Sequence, residues 1–233
     1  MSVDFNNVAF GRRPHDAARV AAAPQHRMSA EAPAPVDLPR PGILTQPSLV
    51  QNNVLPTCSV AGLINHLRAW AQLQGFDLPE NDQLLLDLYA SLAGCATTPA
   101  AIAATDGLVL LDLLEHIQAN GFRIDSQNVV ELTFAAIDIS NIEAIRDAVY
   151  RDAGAYLGVT LYVDDVQPGL AAWAGAVPSG AAVAGGHCIM PKGYAGQTFD
   201  VATWGELMPT DDEFLLARLD EGWSIQWKMA VAS

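Results

Sequence analysis

Apolar residues recur at helical spacing in four stretches of the chain. In Cys58–Gln74 they are Val60, Leu63, Ile64, Leu67 and Ala71, and Gly75 supplies the stop. Asn81–Leu92 carries Leu84, Leu85, Leu88, Tyr89 and Leu92 on one face. Thr105–Ala119 contains the run Leu111–Leu114 and ends at Asn120-Gly121. Asn141–Tyr150 spaces Ile142, Ile145 and Val149 three and four apart. The pattern then changes. Gly154–Val163 is rich in β-formers and predicts a strand, and a Gly/Ala/Pro-rich loop spans about 167–184. His187–Gly193 and Thr198–Thr203 predict a hairpin around Ala195-Gly196, and Phe214–Leu219 and Trp223–Ala230 predict two closing strands. Helices followed by antiparallel strands predict an α+β fold.

The first fifth of the chain departs from this pattern. Residues 1–47 hold 7 of the 14 prolines and 5 of the 12 basic residues, Arg12, Arg13, Arg19, Arg27 and Arg40. Proline fixes φ and removes a donor, so little regular structure is expected beyond a short helix around Asp16–Ala23. The remainder carries 7 bases against 22 acids. The reading is an extended N-terminal arm over 1–47 and one domain over 48–233. That domain has a helical half at about 58–150 and a β half at about 154–233. The arm's arginines would meet an acidic surface on a neighbouring subunit, which makes an oligomeric assembly the expected working unit.

Composition narrows the rest. The chain is 51% hydrophobic, so it can build a core. A net charge of −14 argues against nucleic acid or an anionic membrane as the main partner. No apolar run reaches the roughly 18 residues of a spanning helix, and no Sec-type signal opens the chain. Three scattered cysteines, Cys58, Cys95 and Cys188, suit neither a disulfide framework nor a zinc site, and they are expected to be free thiols.

One of those thiols has a chemical setting. Gln51-Asn52-Asn53-Val54-Leu55-Pro56-Thr57-Cys58 places a cysteine at the start of an apolar helix, where unpaired N–H groups favour the thiolate. Amides lie just upstream, within reach of an oxyanion beside the sulfur. Gly185-Gly186-His187-Cys188 puts a histidine on a strand behind two glycines, which admit a second chain segment or a substrate. Phe199-Asp200-Val201-Ala202-Thr203-Trp204-Gly205 is a strand ending in Thr-Trp-Gly, with Trp204 expected to be buried beside His187. His66 lies eight residues beyond Cys58, about 80° around the helix, and reads as surface or helix packing.

The order of amide, Cys at a helix start, Gly-Gly-His and Thr-Trp-Gly resembles the papain-like cysteine peptidases. In that family an amide donor lies six residues before the nucleophile, and that position is Asn52 here. The Gly-Tyr after the family's histidine strand matches Gly193-Tyr194, and its Asn-Ser-Trp-Gly falls on Ala202-Thr203-Trp204-Gly205. More narrowly, the set is similar to small phage- and prophage-encoded proteins of this fold. The family's catalytic Asn therefore falls on alanine. Asp200, two residues back on the same strand face by side-chain alternation, either substitutes for it or is simply exposed.

What the resemblance implies divides in two. One expectation is a phage virion component, capsid or tail, that uses the block structurally and assembles through its arm. It would be made in the host cytoplasm. The other is an active thiol hydrolase on a peptide or acyl substrate, with Cys58 as nucleophile, His187 as base, Asn52 at the oxyanion and Asp200 orienting His187. Neither needs a metal or organic cofactor.

Overall fold

The computed structural model describes residues 8–28, 38–78, 81–124 and 128–231. The helices are α1 (Ala17–Ala22), α2 (Cys58–Leu73), α3 (Asp82–Ala93), α4 (Pro99–Ala103), α5 (Leu110–Asn120), α6 (Ile142–Asp152) and α7 (Asp212–Arg218). The strands are β1 (Phe122–Arg123), β2 (Asn128–Ala136), β3 (Tyr156–Tyr162), β4 (Val183–Ala195), β5 (Thr198–Thr203), β6 (Glu206–Asp211) and β7 (Leu219–Val231). They form one antiparallel sheet in the order β1-β2-β7-β3-β4-β5-β6. The α+β expectation holds.

Two large apolar clusters and a small third one share the sheet. Helices α2, α3 and α5 pack with Val130, Leu132, Phe134, Trp223 and Ile225 of β2 and β7. Helices α6 and α7 pack with Leu157, Val159, Ile189, Phe199 and Val201 of β3, β4 and β5. Helix α2 runs through the interior, with every residue from Cys58 to Leu67 buried. Its Gly62 makes this possible: a Cβ there would lie 2.6 Å from Cys188 Sγ on β4. The cysteine end of the helix is thereby pressed against the histidine strand.

Several elements differ from the sequence expectation. Phe214–Leu219, expected as a strand, is mostly helix α7. Asp211 caps it by accepting from Phe214 N–H at 2.7 Å, and Asp212 and Glu213 complement its first turn. Phe214, Leu215 and Arg218 are its buried residues, a helical rather than alternating set. Strand β2 was not expected, although its burial alternates along much of its length. Short α4, capped by Thr98 with Pro99 in its first turn, and edge strand β6 were also not expected. The third helix starts at Leu110 rather than Thr105, because Gly107 turns at φ +87° and Leu108 pairs with the arm.

The arm has contacts within its own chain. Its described residues lie on the chain's own body. Arg19 bonds Asp112 and Glu115 of α5, each at 2.7 Å. His26 is held by Asp147 at 2.8 Å and Ser224 at 3.1 Å, and backbone bonds tie Pro24 and His26 to Ala136. Leu38 pairs with Tyr194, and Arg40 donates to the carbonyls of Lys192 and Tyr150. Charge counting shows that an acidic surface awaits the arginines but not whose surface it is. An intramolecular partner is present at high effective concentration.

Candidate active site

The loop before α2 is built to aim residues inward. Ser48 and Asn65 exchange hydrogen bonds of 2.7 and 3.1 Å, tying the loop to the helix. Val50 and Gln51 both take left-handed backbone, φ +48° and +53°. Such strain in a β-branched residue persists only where its surroundings impose it, and it collects at working sites. Asn52 follows directly and is buried, with no hydrogen-bond partner at its Oδ1. Thr57 stands at the N-cap of α2 but spends its hydroxyl on Val50 C=O at 2.7 Å, leaving the first turn of the helix without a side-chain cap.

Cys58 is the first residue of α2 and is fully buried. Burial pushes its thiol up to about 11, against the opposing pull of the Cys188, Gly11 and Ser59 backbone groups and the Arg12 charge. The Cys188 contact places the sulfur against the residue that follows His187. Cys58, Cys95 and Cys188 are all free.

His187 is fully buried on β4. Its Nε2 shares a 2.8 Å hydrogen bond with the Thr203 hydroxyl, and its Nδ1 has no hydrogen-bond partner. Trp204 stacks on the ring with centroids 4.1 Å apart and planes at 17°, as expected for the Thr-Trp-Gly motif. Burial, reinforced by Arg12, lowers the imidazole to about 3, so the ring is neutral.

The side chain that bonds His187 is Thr203 and not the expected Asp200. Asp200 is half-exposed, with its carboxylate 4.0 Å from Lys192 Nζ. Alternation explains both facts. Ala202 turns into a small cluster with Leu44, Ala69 and Met190, and Asp200 shares its parity. Thr203, one residue on, faces the opposite way, toward His187. A hydroxyl one place along thus stands where the family's amide was sought. In the sequence Thr203 stands out only as part of the Thr-Trp-Gly motif. Thr203→Val is expected to cost about 1–3 kcal/mol, because it leaves a buried ring nitrogen without its partner. Urea unfolding checks this, and Thr203→Ser should be close to neutral.

The arm closes the site. Arg12 N–H donates to Gly186 C=O at 3.2 Å, Leu108 N–H to Gly11 C=O at 3.0 Å, and Arg13 N–H to Leu108 C=O at 2.9 Å. Phe10 lies over Gly185, where a Cβ would come within 2.5 Å of its ring, and it meets Trp204 edge-on at 6.4 Å. A Cβ on Gly186 would lie 2.4 Å from Arg12 O. Gly11 itself is pinched, since its Cβ would lie 2.0 Å from Pro56 O. The Gly185-Gly186 pair does admit a second segment, and that segment is the chain's own residues 10–12. Sequence reasoning gave these arm residues no role at the cysteine.

Ligand atoms of His15, Asp220 and Glu221 fall within 4.8 Å of one another, a spacing that could hold a cation. The Arg12 guanidinium bonds both carboxylates and already supplies positive charge there.

Comparison with known proteins agrees with this architecture. No family model matches the chain, and no curated protein matches it by sequence. Among solved structures it is similar to xylellain, a cysteine protease from Xylella fastidiosa. There the TM-score is 0.70 at 14% identity, over 94% of this chain and 96% of that one. It is also similar to digestive procathepsin L 3 of Tenebrio molitor larval midgut (TM-score 0.60, 12% identity, 97% and 77% covered). The ragweed pollen allergen Amb a 11, a cysteine protease in its proform, gives TM-score 0.58 at 12% identity over 95% and 69%. Among the described residues no helix is long and apolar enough to cross a membrane. The chain is built on the papain-like α+β fold.

Proposed function

We propose that this chain is a papain-like thiol hydrolase acting on peptide bonds, held latent by residues 8–13. One observation carries the reading. The Cys58 sulfur sits at a helix start beside the histidine strand and is roofed by the backbone of Gly11. Two of the similar structures are of a procathepsin and of a protease in its proform, and a covered resting state is extended to this chain on that likeness.

While the arm is seated, burial raises the thiol to about 11 and lowers the imidazole to about 3, so both groups stay neutral and the site is at rest. Displacing the arm readmits water and removes the dominant cause of both shifts. His187 Nδ1 then takes the thiol proton as Cys58 Sγ attacks the substrate carbonyl carbon. The oxyanion faces the Cys58 N–H and the Asn52 amide. The intermediate collapses with cleavage of the C–N bond, and His187 returns the proton to the departing amine. Water then attacks the thioester, His187 takes its proton, and that proton restores the thiol. Thr203 holds Nε2 throughout.

The test is alkylation of the full-length chain by iodoacetamide, read by peptide mass. Cys58 should react at least about a hundredfold more slowly than Cys95, because it is buried and its thiolate fraction is small. Gly11→Val has no room against Pro56 and should lift the arm. Cys58 should then alkylate with an apparent pKa below about 8.5, and peptide hydrolysis should appear that Cys58→Ala removes. A second reading, a structural component of a phage particle, is favoured by Ala202 and by the complete burial of Cys58. Gly11→Val with an accessible Cys58, no lowered pKa and no hydrolysis would decide for it.

A further inference from the structure

We propose that the acidic pocket filled by Arg12 is a recognition subsite for arginine, so that the groove takes peptides carrying a guanidinium side chain at this place. The inference rests on the reading of the groove as a peptide site and adds its substrate class. Arg12 comes from an extended segment that bonds Gly186 of β4 on one side and bridges Leu108 on the other, the posture of a bound peptide. Its side chain is 3% exposed. Nη1 donates to Glu221 Oε1 at 3.0 Å and Nη2 to Val159 C=O at 3.4 Å and to Asp220 Oδ2.

The pocket is built rather than fortuitous. Asp220 and Glu221 are neighbours on β7, and neighbours in a regular strand point to opposite faces. The register slips there: Gly158 pairs with Glu221 but Val159 with Leu219, so Asp220 is the extra residue of a bulge. Both carboxylates can then converge on one guanidinium. Each is braced from behind. Trp223 Nε1 donates to Glu221 Oε2 at 3.0 Å, and the Thr160 hydroxyl donates to Asp220 Oδ2 at 2.8 Å. Gly158 leaves room for the aliphatic stem, since a Cβ there would lie 2.9 Å from Arg12 Cδ and 2.6 Å from Glu221 Cγ. A planar fork spreads separate donors over two carboxylates and a carbonyl, whereas a lysine ammonium is a single point charge. With the arm displaced, Glu221 would remain buried and uncompensated, and an incoming guanidinium restores the pairing.

The test uses the full-length chain with Arg12→Ala, and Arg12→Lys as a second variant in case the first does not fold. N-acetyl-argininamide, N-acetyl-lysinamide and N-acetyl-citrullinamide are titrated by calorimetry. Citrulline keeps the shape of arginine without its charge. The arginine compound should bind about tenfold or more tightly than either of the others, and adding Glu221→Gln should abolish that margin. Hydrolysis of peptide pairs differing only in arginine or citrulline should show the same preference. Equal binding of arginine and citrulline compounds, or binding by neither, overturns the subsite. Arginine-selective, Glu221-dependent binding without any hydrolysis would uphold the subsite and defeat the hydrolase reading. Hydrolysis indifferent to arginine would do the reverse.

Discussion

Trp204→Ala should destabilise the chain by about 3–5 kcal/mol, the usual cost of deleting a core aromatic. The ring is 4% exposed and has three aromatic neighbours. It stacks on His187 at 4.1 Å and meets Trp173 edge-on at 5.9 Å and Phe10 edge-on at 6.4 Å. It does so from an unfavourable backbone. Trp204 and Gly205 form the two-residue turn between β5 and β6, with φ +44° and +76°, as a type I′ turn demands. Glycine, asparagine and aspartate suit such a position, and tryptophan does not. Packing on His187 therefore outweighs a local conformational cost. Trp204→Gly loses the same ring but relieves the backbone, so it should be more stable than Trp204→Ala by about 1 kcal/mol. Urea unfolding of the two variants checks both statements. A neutral Trp204→Ala would mean the ring contributes no core packing.

Acid should destabilise the chain steeply, with two histidines as named causes. His187 and His66 are fully buried and neutral, lowered to about 3 and about 4, each chiefly by burial. His66 accepts from Trp227 Nε1 at Nδ1 (3.0 Å) and meets Gly154 C=O through Nε2 (3.2 Å), so a second proton would break the tryptophan bond. A histidine depressed in the folded state contributes stability that is complete above its unfolded value, near 6.5, and is lost as pH falls toward the folded value. Between about pH 6.5 and pH 4 each ring should therefore remove up to about 1.4 kcal/mol per pH unit. Asp152 and Glu221, raised by burial, take up protons earlier in the folded state and offset part of the loss. Urea unfolding at a series of pH values gives the slope. His66→Gln should flatten it by up to about 1.4 kcal/mol per pH unit whatever its cost at neutral pH. An unchanged slope would remove His66 from the account.

The parts of this protein legible in its sequence are those encoded by local period and local chemistry. Cys58–Gln74 shows its helix through apolar spacing, with the cysteine at its start, and the structure places it at Cys58–Leu73. The β4–β5 hairpin is visible because Ala195-Gly196 punctuates two β-rich runs. Asp16 announces α1 as a capping residue, and its side chain does accept from Ala18 and Arg19 N–H. Strand β2 carried a readable alternation that the helical neighbourhood obscured, and α7 carried a readable cap at Asp211 and helix-forming leucines and alanine after it.

By itself the sequence determined an α+β chain with a thiol at a helix start, a histidine behind two glycines and a basic arm facing an acidic body. Each of these depends on residues close together along the chain. Tertiary structure alone decided three others. Thr203 rather than Asp200 holds His187, because strand register chooses which face of β5 meets β4. Asp220 and Glu221 converge because β7 bulges against β3. Arg12 and Arg19 meet acids of their own chain, with Arg12 lodged beside Cys58, because which surface a segment meets depends on how the whole chain is folded back. Facing, register and return path are properties of packed strands and loops, and no local pattern of residues carries them.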